Sequence, residues 1–256
     1  MQNNIFLGLF VGHNTVTLKE VDSTNTYLRQ ALSNSEPLPE GTVIMAEAQL
    51  AGRGQTQNVW LSESGKNLTI SILLNPRFVP VQQQFDLNMA ICLAVNDVLT
   101  QYFPGRAKIK WPNDCYIDHD KVGGILIENL VQGNVIKHAI IGIGLNVNQA
   151  SFPSALQNVT SFKKILHTDY DLQMIMNEIC RSVEARYLQL KAGKLSLLRA
   201  DYLSKLYLKD EWAYFRINEQ TVAGKICDVS YEGLLVVETE TGLQRFGFKE
   251  IEFIKQ

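Results

Sequence analysis

The pattern of hydrophobic and polar positions divides this chain into a long region of mixed elements and a short region of closely spaced strands. Residues 15–21 alternate between apolar and polar side chains and predict a strand. A helix is predicted from about 24 to 32, with Asp22 or Ser23 as its N-cap. Apolar runs at 42–46 and 67–74 predict two more strands, while residues 49–66 lack periodicity and are read as a long loop.

The middle of the chain continues this alternation of helices and strands. A strongly apolar helix is predicted at 85–102, followed by three strands at 107–111, 122–131 and 135–147. The segment Gln132-Gly133-Asn134 between the last two strands is typical of a hairpin turn. Two amphipathic helices are predicted at 171–190 and 195–206.

From residue 209 the pattern changes to short alternating runs. These runs, at 213–217, 222–229, 234–238 and 243–248, are separated by short polar turns and indicate a small β-barrel. We therefore predict an α+β fold of two domains. Residues 1–208 form a mixed β-sheet flanked by helices, and residues 209–256 form the C-terminal barrel.

Composition narrows the class of protein without assigning a function. The chain has 256 residues, 46% hydrophobic and 20% charged, and its net charge of -2 does not favour nucleic-acid binding. Its four scattered cysteines, without a C-x-x-C pair, indicate neither a zinc site nor disulfides. No apolar run reaches about eighteen residues, and residues 1–7 lack the basic start of a signal peptide. We expect a cytoplasmic protein with no membrane or nucleic-acid partner.

The long loop carries the first candidate chemistry. Gly52 and Gly54 flank Arg53, so backbone N–H groups and a cation can face an anion together. Trp60 ends the loop and needs apolar cover, which a closing loop or a bound ligand would supply. The alternative interpretation is a flexible turn with a solvated arginine.

A second candidate segment is Lys110-Trp111-Pro112-Asn113-Asp114. The lysine stands at the end of an apolar strand, where its ammonium can meet a ligand charge, and the proline ends that strand. The asparagine and aspartate can hydrogen-bond to their own backbone in the turn. The alternative is a strand-end lysine in solvent beside a structural turn.

Three further segments are less specific. Gly142, Gly144 and Asn146 close a long apolar strand, where glycines permit the close approach of a ligand and the amide can contact a nucleotide. No helix follows at once, so a dinucleotide-binding fingerprint is not supported. Ser23-Thr24-Asn25 is interpreted as a helix cap that also offers polar groups to a ligand. The segment 121–128 places a lysine and two glycines at the start of a strand, with a simple hairpin as the alternative.

Taken in order, these segments resemble the biotin protein ligases. The motifs that carry the resemblance are Ser23-Thr24-Asn25, Gln49, Gly52-Arg53-Gly54, Trp60, Lys110-Trp111-Pro112-Asn113-Asp114, Gly123-Gly124-Ile125-Leu126 and Gly142-Ile143-Gly144-Leu145-Asn146. The resemblance implies a ligase core like that of class II aminoacyl-tRNA synthetases, with an SH3-like barrel at the C-terminus.

The resemblance also implies a two-step reaction and a set of site residues. Biotin and ATP, with Mg²⁺ carried by the nucleotide, give biotinyl-5′-AMP and pyrophosphate, and a lysine of a biotin carboxyl carrier protein then accepts the biotinyl group. Lys110 and Arg53 are the implied catalytic cations. The implied biotin-binding residues are Ser23, Thr24, Asn25, Gln49, Gly52, Arg53, Gly54, Gln55, Lys110 and Gly124. The implied nucleotide-binding residues are Trp60, Lys110, Asn113, Gly142, Gly144 and Asn146.

The chain departs from the family pattern in two places. Many members have further arginines and a glycine in the loop where this chain has Gln55, Gln57 and Asn58, so we expect weaker retention of the adenylate. Only about fourteen residues precede the first predicted strand, so we also expect a ligase without a helix-turn-helix repressor domain.

Two alternative functions stay open at this point. A lipoate or octanoyl protein ligase shares the core fold, although Trp111-Pro112 and the Gly-Arg-Gly loop favour biotin. A biotin-sensing transcriptional regulator is the other alternative, and the absence of a recognisable DNA-binding sequence disfavours it. The motifs leave open whether the protein is a monomer or a weak homodimer.

Overall fold

The computed structural model describes residues 10–33, 38–55 and 58–254. The interpretation of residues 1–7 and the substitution at Gln57 lie outside these described residues.

A seven-stranded mixed sheet organises the first part of the chain. Its strands, in chain order, are β1 (Thr15–Val21), β2 (Val43–Gln49), β3 (Leu68–Leu74), β4 (Ala107–Lys110), β5 (Asp114–Ile117), β6 (Asp120–Gln132) and β7 (Val135–Leu145). Their spatial order is β1-β2-β3-β7-β6-β5-β4. Only β1 and β2 pair in parallel, while the other neighbours pair antiparallel.

Helices cover both faces of this sheet. The helices are α1 (Thr24–Ala31), α2 (Gln84–Tyr102), α3 (Phe162–Leu166), α4 (Leu172–Lys191) and α5 (Leu195–Lys205), with a short 3₁₀ turn at Val81–Gln83 before α2. Helix α2 is apolar on nearly all sides because it lies between the sheet and helices α4 and α5. Helix α1 packs on the opposite face, where Leu28 meets Ile44, Leu73 and Ile140 in a small second core. Every residue of β3 is therefore buried.

A second, antiparallel sheet follows. It contains β8 (Trp212–Ile217), β9 (Gln220–Val229), β10 (Leu235–Thr239), β11 (Gly242–Phe246) and β12 (Glu252–Phe253), in the spatial order β11-β10-β9-β8-β12. Alternate residues of β8 point into its core because one face is buried and the other is in solvent. The predicted α+β fold, with a flanked mixed sheet and an SH3-like C-terminal unit, is confirmed.

The C-terminal sheet packs directly against the helices and against Trp111, which follows the last residue of β4. The Trp111 indole N–H donates to the Gly233 carbonyl over 3.0 Å in a buried contact. Gly233 adopts φ +90°, and a side chain there would also collide with the Phe85 ring. Arg199 of α5 pairs with Asp228 at 2.8 Å. A single buried hydrophobic cluster runs through both sheets.

The structure adds short elements and corrects one helix cap. Strand β5 was not predicted, because Asn113 and Asp114 were interpreted only as turn residues, and α3 and β12 were also missed because they are very short. Ser23 does occupy the N-cap position of α1, yet its side chain makes no capping hydrogen bond. Gln49 Oε1 takes that role instead, accepting the Thr24 backbone N–H over 2.8 Å. In the described part of the chain, no helix has both the length and the apolar character needed to cross a bilayer.

Candidate functional site

A cavity of about 870 Å³ opens between the large sheet and the C-terminal sheet. This volume lies within the range typical of small-molecule sites. Most of the residues predicted from the motifs line it, namely Ser23, Thr24, Asn25, Gln49, Arg53, Gly54, Gln55, Trp60, Lys110, Asn113, Gly124, Gly142 and Gly144. Segments far apart in the sequence are therefore brought to one place.

One side of the cavity is a buried polar network at the start of α1. Gln49 Oε1 accepts both the Thr24 N–H and, over 3.1 Å, the Thr24 hydroxyl. The Ser71 hydroxyl lies 2.6 Å from Asn25 Oδ1 and 2.7 Å from the Thr24 hydroxyl oxygen. Ser23, Thr24, Asn25 and Ser71 are all buried. Because Thr24, Asn25 and Ser71 are held by these hydrogen bonds, their donors and acceptors are preorganised for a polar ligand.

The Gly-Arg-Gly loop folds back on itself. Trp60 N–H donates to the Gly52 carbonyl over 2.9 Å, and Gly54 N–H donates to the Asn58 carbonyl over 2.7 Å. The prediction that the loop turns its N–H groups toward an anion is therefore wrong for Gly54. Gly52 is buried and does not line the cavity; a Cβ there would collide with the Trp60 carbonyl oxygen. Glycine is thus needed here for close backbone packing.

Arg53 already has a counter-ion in this structure. Its guanidinium lies 2.9 Å from one oxygen of Glu128, and Arg29 lies 2.9 Å from the other. Asn25 also donates to Glu128, over 2.8 Å. The Arg53 side chain is 43% exposed, so this ion pair is partly screened by water and can exchange partners at low cost.

The glycines of β7 make room for protein side chains. A Cβ on Gly142 would lie 2.6 Å from Asn25 Oδ1, and a Cβ on Gly144 would lie 2.6 Å from the Trp60 ring. The space beside these glycines, which the sequence predicted for a ligand, is therefore filled by the side chains of Asn25 and Trp60. The buried Trp60 indole N–H has no hydrogen-bond partner within the described ranges, so a donor is left at the cavity wall.

Two asparagines predicted to contact nucleotide are engaged in the protein. Asn113 lines the cavity, but its amide donates to the Ile125 carbonyl over 2.6 Å. Asn146 is buried behind the cavity wall, donates to the Thr160 carbonyl over 3.1 Å, and has an Oδ1 without a partner among the described residues. Asn146 does not line the cavity.

Two lysines of the large sheet reach the site, although only one was assigned a role from the sequence. Lys110 donates to the Tyr116 hydroxyl over 3.1 Å, and burial lowers its pKa against the raising influence of Asp114. Lys121 lines the same cavity and pairs with Asp114 at 2.6 Å. Its position before Gly123-Gly124 was visible in the sequence, but nothing there showed that it would face the same space as Lys110.

The C-terminal sheet supplies the residues that sequence reasoning missed altogether. Arg216, Lys249, Glu252 and Phe253 belong to the C-terminal unit and line the cavity. No motif marks them, because their part in the site depends on how the second sheet docks. In the stretches that the structure describes, no group of three or more His, Cys, Asp and Glu residues could hold a metal ion.

Comparisons with known proteins agree on one family. The biotin/lipoate A/B protein ligase family matches residues 17–146. The chain is 29% identical over 245 residues to the bifunctional ligase/repressor BirA of Bacillus subtilis, covering 94% of this chain and 74% of that protein. It is 31% identical over 190 residues to the biotin–[acetyl-CoA-carboxylase] ligase of Mycobacterium tuberculosis, covering 73% and 68%.

Solved structures give the same picture. A biotin protein ligase from Aquifex aeolicus, in complex with biotin and ATP, superposes with a TM-score of 0.79 at 27% identity. The match covers 95% of this chain and 100% of the Aquifex chain.

Proposed function

Because this chain belongs to the biotin/lipoate A/B protein ligase family, we propose that it is an ATP-dependent biotin protein ligase. The observation that carries the proposal is the shared cavity, which gathers the Ser23-Thr24-Asn25 network, the Gly-Arg-Gly loop and two lysines around one space. The similar Aquifex aeolicus structure holds biotin and ATP together, which are the two substrates of the first step.

The first step joins two anions. A biotin carboxylate oxygen attacks the α-phosphorus of ATP, the bond to the bridging oxygen breaks, and pyrophosphate leaves with its electron pair. At an effective dielectric near 20, two unit charges about 4 Å apart repel by roughly 4 kcal/mol. Cations at the point of contact offset this repulsion and stabilise the charge that builds up on the phosphate.

Lys110 is the cation that we assign to this step, with Arg53 in support. Both line the cavity, and Lys121 lines it too. Since Lys121 is paired with Asp114 and Arg53 with Glu128, an arriving carboxylate or phosphate must compete with those protein carboxylates. Lys110 faces aromatic groups instead, so its charge is less compensated before ligands bind.

The remaining roles are assigned by position. We assign biotin to the network side, with Ser23, Thr24, Asn25, Gln49, the Gly52-Arg53-Gly54 loop, Gln55, Lys110 and Gly124. We assign the nucleotide to Trp60, Lys110, Asn113, Gly142 and Gly144, with Asn146 supporting the wall from behind. Gly52 and Asn146 then act through their neighbours, because neither lines the cavity.

Mg²⁺ and the acceptor complete the proposal. Mg²⁺ would be carried by the ATP phosphates and would partly neutralise their charge, and we assign no residue of the chain as its ligand. In the second step, the amine of a lysine on a biotin carboxyl carrier protein attacks the biotinyl carbonyl. The carbonyl–phosphate bond breaks, AMP leaves, and the amine loses a proton as the amide forms.

We also propose that residues 209–256 form a separate domain of the enzyme. The support is that, among the described residues, β8 to β12 form a sheet of their own, while the large sheet contains no strand from this region. Nine cavity residues come from this unit, so the proposed domain completes the site.

Incubation of the protein with biotin, ATP, Mg²⁺ and a biotin carboxyl carrier domain tests the proposal. The expected result is a carrier domain heavier by one biotinyl group, measured as intact mass, with pyrophosphate released only when biotin is present. Lipoate and octanoate serve as matched acids in parallel reactions. Faster pyrophosphate release with lipoate or octanoate than with biotin would identify that acid, and not biotin, as the substrate.

A further inference from the structure

The Lys110 ammonium lies near two aromatic rings, one from each sheet. Its Nζ lies 5.1 Å from the ring centroid of Tyr116 on β5 and 4.8 Å from that of Phe253 on β12. The Tyr116 hydroxyl accepts its hydrogen bond. Both distances are within the range in which a ring face attracts a cation. The nearby Asp114 carboxylate pairs with Lys121.

The position of the Phe253 ring is set by the core of the C-terminal sheet. β12 pairs with β8, so that Phe253 lies opposite Phe215. The two rings meet edge-to-face at 5.2 Å, and Phe215 is fully buried. Tyr207 stacks on the Phe253 ring at 6.4 Å. A ring held by two aromatic neighbours is a rigid surface for a flexible lysine side chain.

We propose that Phe253 is a positioning residue for Lys110, through which the C-terminal sheet aims the ammonium at the carboxylate and phosphate that meet in the cavity. The inference rests on the proposed function, and it adds a residue from outside the family motifs. Without the ring, the four-carbon chain of Lys110 gains rotamers that point into solvent, and reaching the reactive geometry then costs conformational entropy.

The surroundings of Lys110 support this role. Burial is the main influence on its pKa and lowers it, and the charges of Asp114 on β5, Lys121 on β6 and Glu252 on β12 act on that pKa as well. An ammonium that is partly stripped of water gains more from a ring face than an exposed one does. Glu252 pairs with Arg216 at 3.1 Å on the exposed side of β12, so Phe253 is the β12 side chain that contacts Lys110.

Three single variants separate positioning from general support of the fold. Phe253→Leu removes the ring face and keeps an apolar side chain of similar size. Phe253→Tyr keeps the ring face. Tyr214→Leu is the matched control, because it removes an exposed ring from the neighbouring strand β8. Each variant is compared with the wild-type protein for kcat and KM in biotin-dependent pyrophosphate release.

A spectroscopic readout of Lys110 accompanies the kinetics. In protein labelled with ¹³C-lysine, the Lys110 resonance is assigned by its loss in Lys110→Met. The ring faces of Phe253 and Tyr116 are expected to shift its Hε signals upfield. Phe253→Leu should move these signals back toward those of exposed lysines and lower kcat/KM for ATP about 5- to 10-fold. Phe253→Tyr should retain both properties, and Tyr214→Leu should leave both unchanged.

The outcomes distinguish this inference from the proposed function. An unchanged Hε shift or an unchanged kcat/KM in Phe253→Leu overturns the inference, as does an equal loss of activity in Tyr214→Leu. If the wild-type protein releases no pyrophosphate with biotin, the proposed function fails instead, and the positioning role for Phe253 falls with it even if the Hε shift is seen.

Discussion

At the scale of single residues, the site depends on which charges are already paired. Arg53 and Lys121 each face a carboxylate of the protein, whereas Lys110 faces a hydroxyl and two rings. A cation between rings loses hydration without gaining a counter-ion. Of these three cations, Lys110 is therefore the one whose surroundings change most when an anionic ligand binds.

Replacing Lys110 by methionine is expected to slow biotin-dependent pyrophosphate release at least about 100-fold, because a neutral side chain no longer stabilises charge on the phosphate. Methionine is close to lysine in length, so the free energy of unfolding should change little. Lys121→Met is the matched comparison. Full activity of Lys110→Met with strong loss in Lys121→Met would transfer the catalytic role to Lys121.

Gln55 gives a second prediction at this scale. It lines the cavity at a loop position where the resemblance to biotin protein ligases leads us to expect arginine. Gln55→Arg adds a cation near the adenylate phosphate and is expected to slow the release of biotinyl-AMP, measured by rapid filtration of enzyme loaded with labelled biotin. Equal or faster release from the variant than from the wild-type protein would contradict this.

At the scale of elements, β7 separates the two halves of the proposed site. Gly142 accommodates Asn25, which we assign to biotin, and Gly144 accommodates Trp60, which we assign to the nucleotide, so one strand makes room for residues of both sides. The motif was recognisable from sequence, but the reason for its glycines was not. The side chains that fill the space come from α1 and from the end of the loop.

The pair Gly142→Ala and Gly144→Ala tests this division. A Cβ at Gly144 would displace the Trp60 ring and should mainly raise KM for ATP. Gly142 is itself assigned to the nucleotide, but a Cβ there would displace Asn25, which is assigned to biotin, and should mainly raise KM for biotin. Each overpacked variant should also lose about 1–3 kcal/mol of unfolding free energy. Steady-state kinetics with each substrate varied in turn measures the split. The same KM changes in both variants would show that the strand does not divide the site.

Prediction of elements from sequence worked where the pattern was long. Helices α2 and α4 and strands β6 and β7 were located within a few residues, because their apolar periodicity spans many positions. Strand β5 has only four residues after a proline turn, and β12 has two. Such short strands exist because neighbouring strands pair with them, which local pattern cannot show.

At the scale of the whole molecule, the Lys110-Trp111 dipeptide joins the two sheets. Lys110 contacts Phe253, and Trp111 hydrogen-bonds to Gly233 in a different part of the C-terminal unit. Because Lys110 and Trp111 are adjacent in the chain, displacement of the C-terminal sheet would move the Lys110 ammonium as well.

Trp111→Phe removes the buried hydrogen bond to the Gly233 carbonyl and leaves that oxygen unpaired. The expected loss is about 1–3 kcal/mol of unfolding free energy, measured by urea denaturation. Trp212→Phe is the control, since Trp212 is 57% exposed and should cost well under about 1 kcal/mol. Similar losses of unfolding free energy in the two variants would show that the Trp111 hydrogen bond does not stabilise the contact between the two sheets.

The order of the motifs, the long elements and the family can all be inferred from the amino-acid sequence alone. Those properties follow from local periodicity and from short runs of residues, such as the Gly52-Arg53-Gly54 tripeptide. Which cations are paired with a carboxylate depends on the packing of the chain. Arg53 contacts Glu128, and Lys110 contacts Phe253, only in the folded protein. The reason is physical: the surroundings of a buried group are set by elements distant in the chain, and their docking is decided by the whole core.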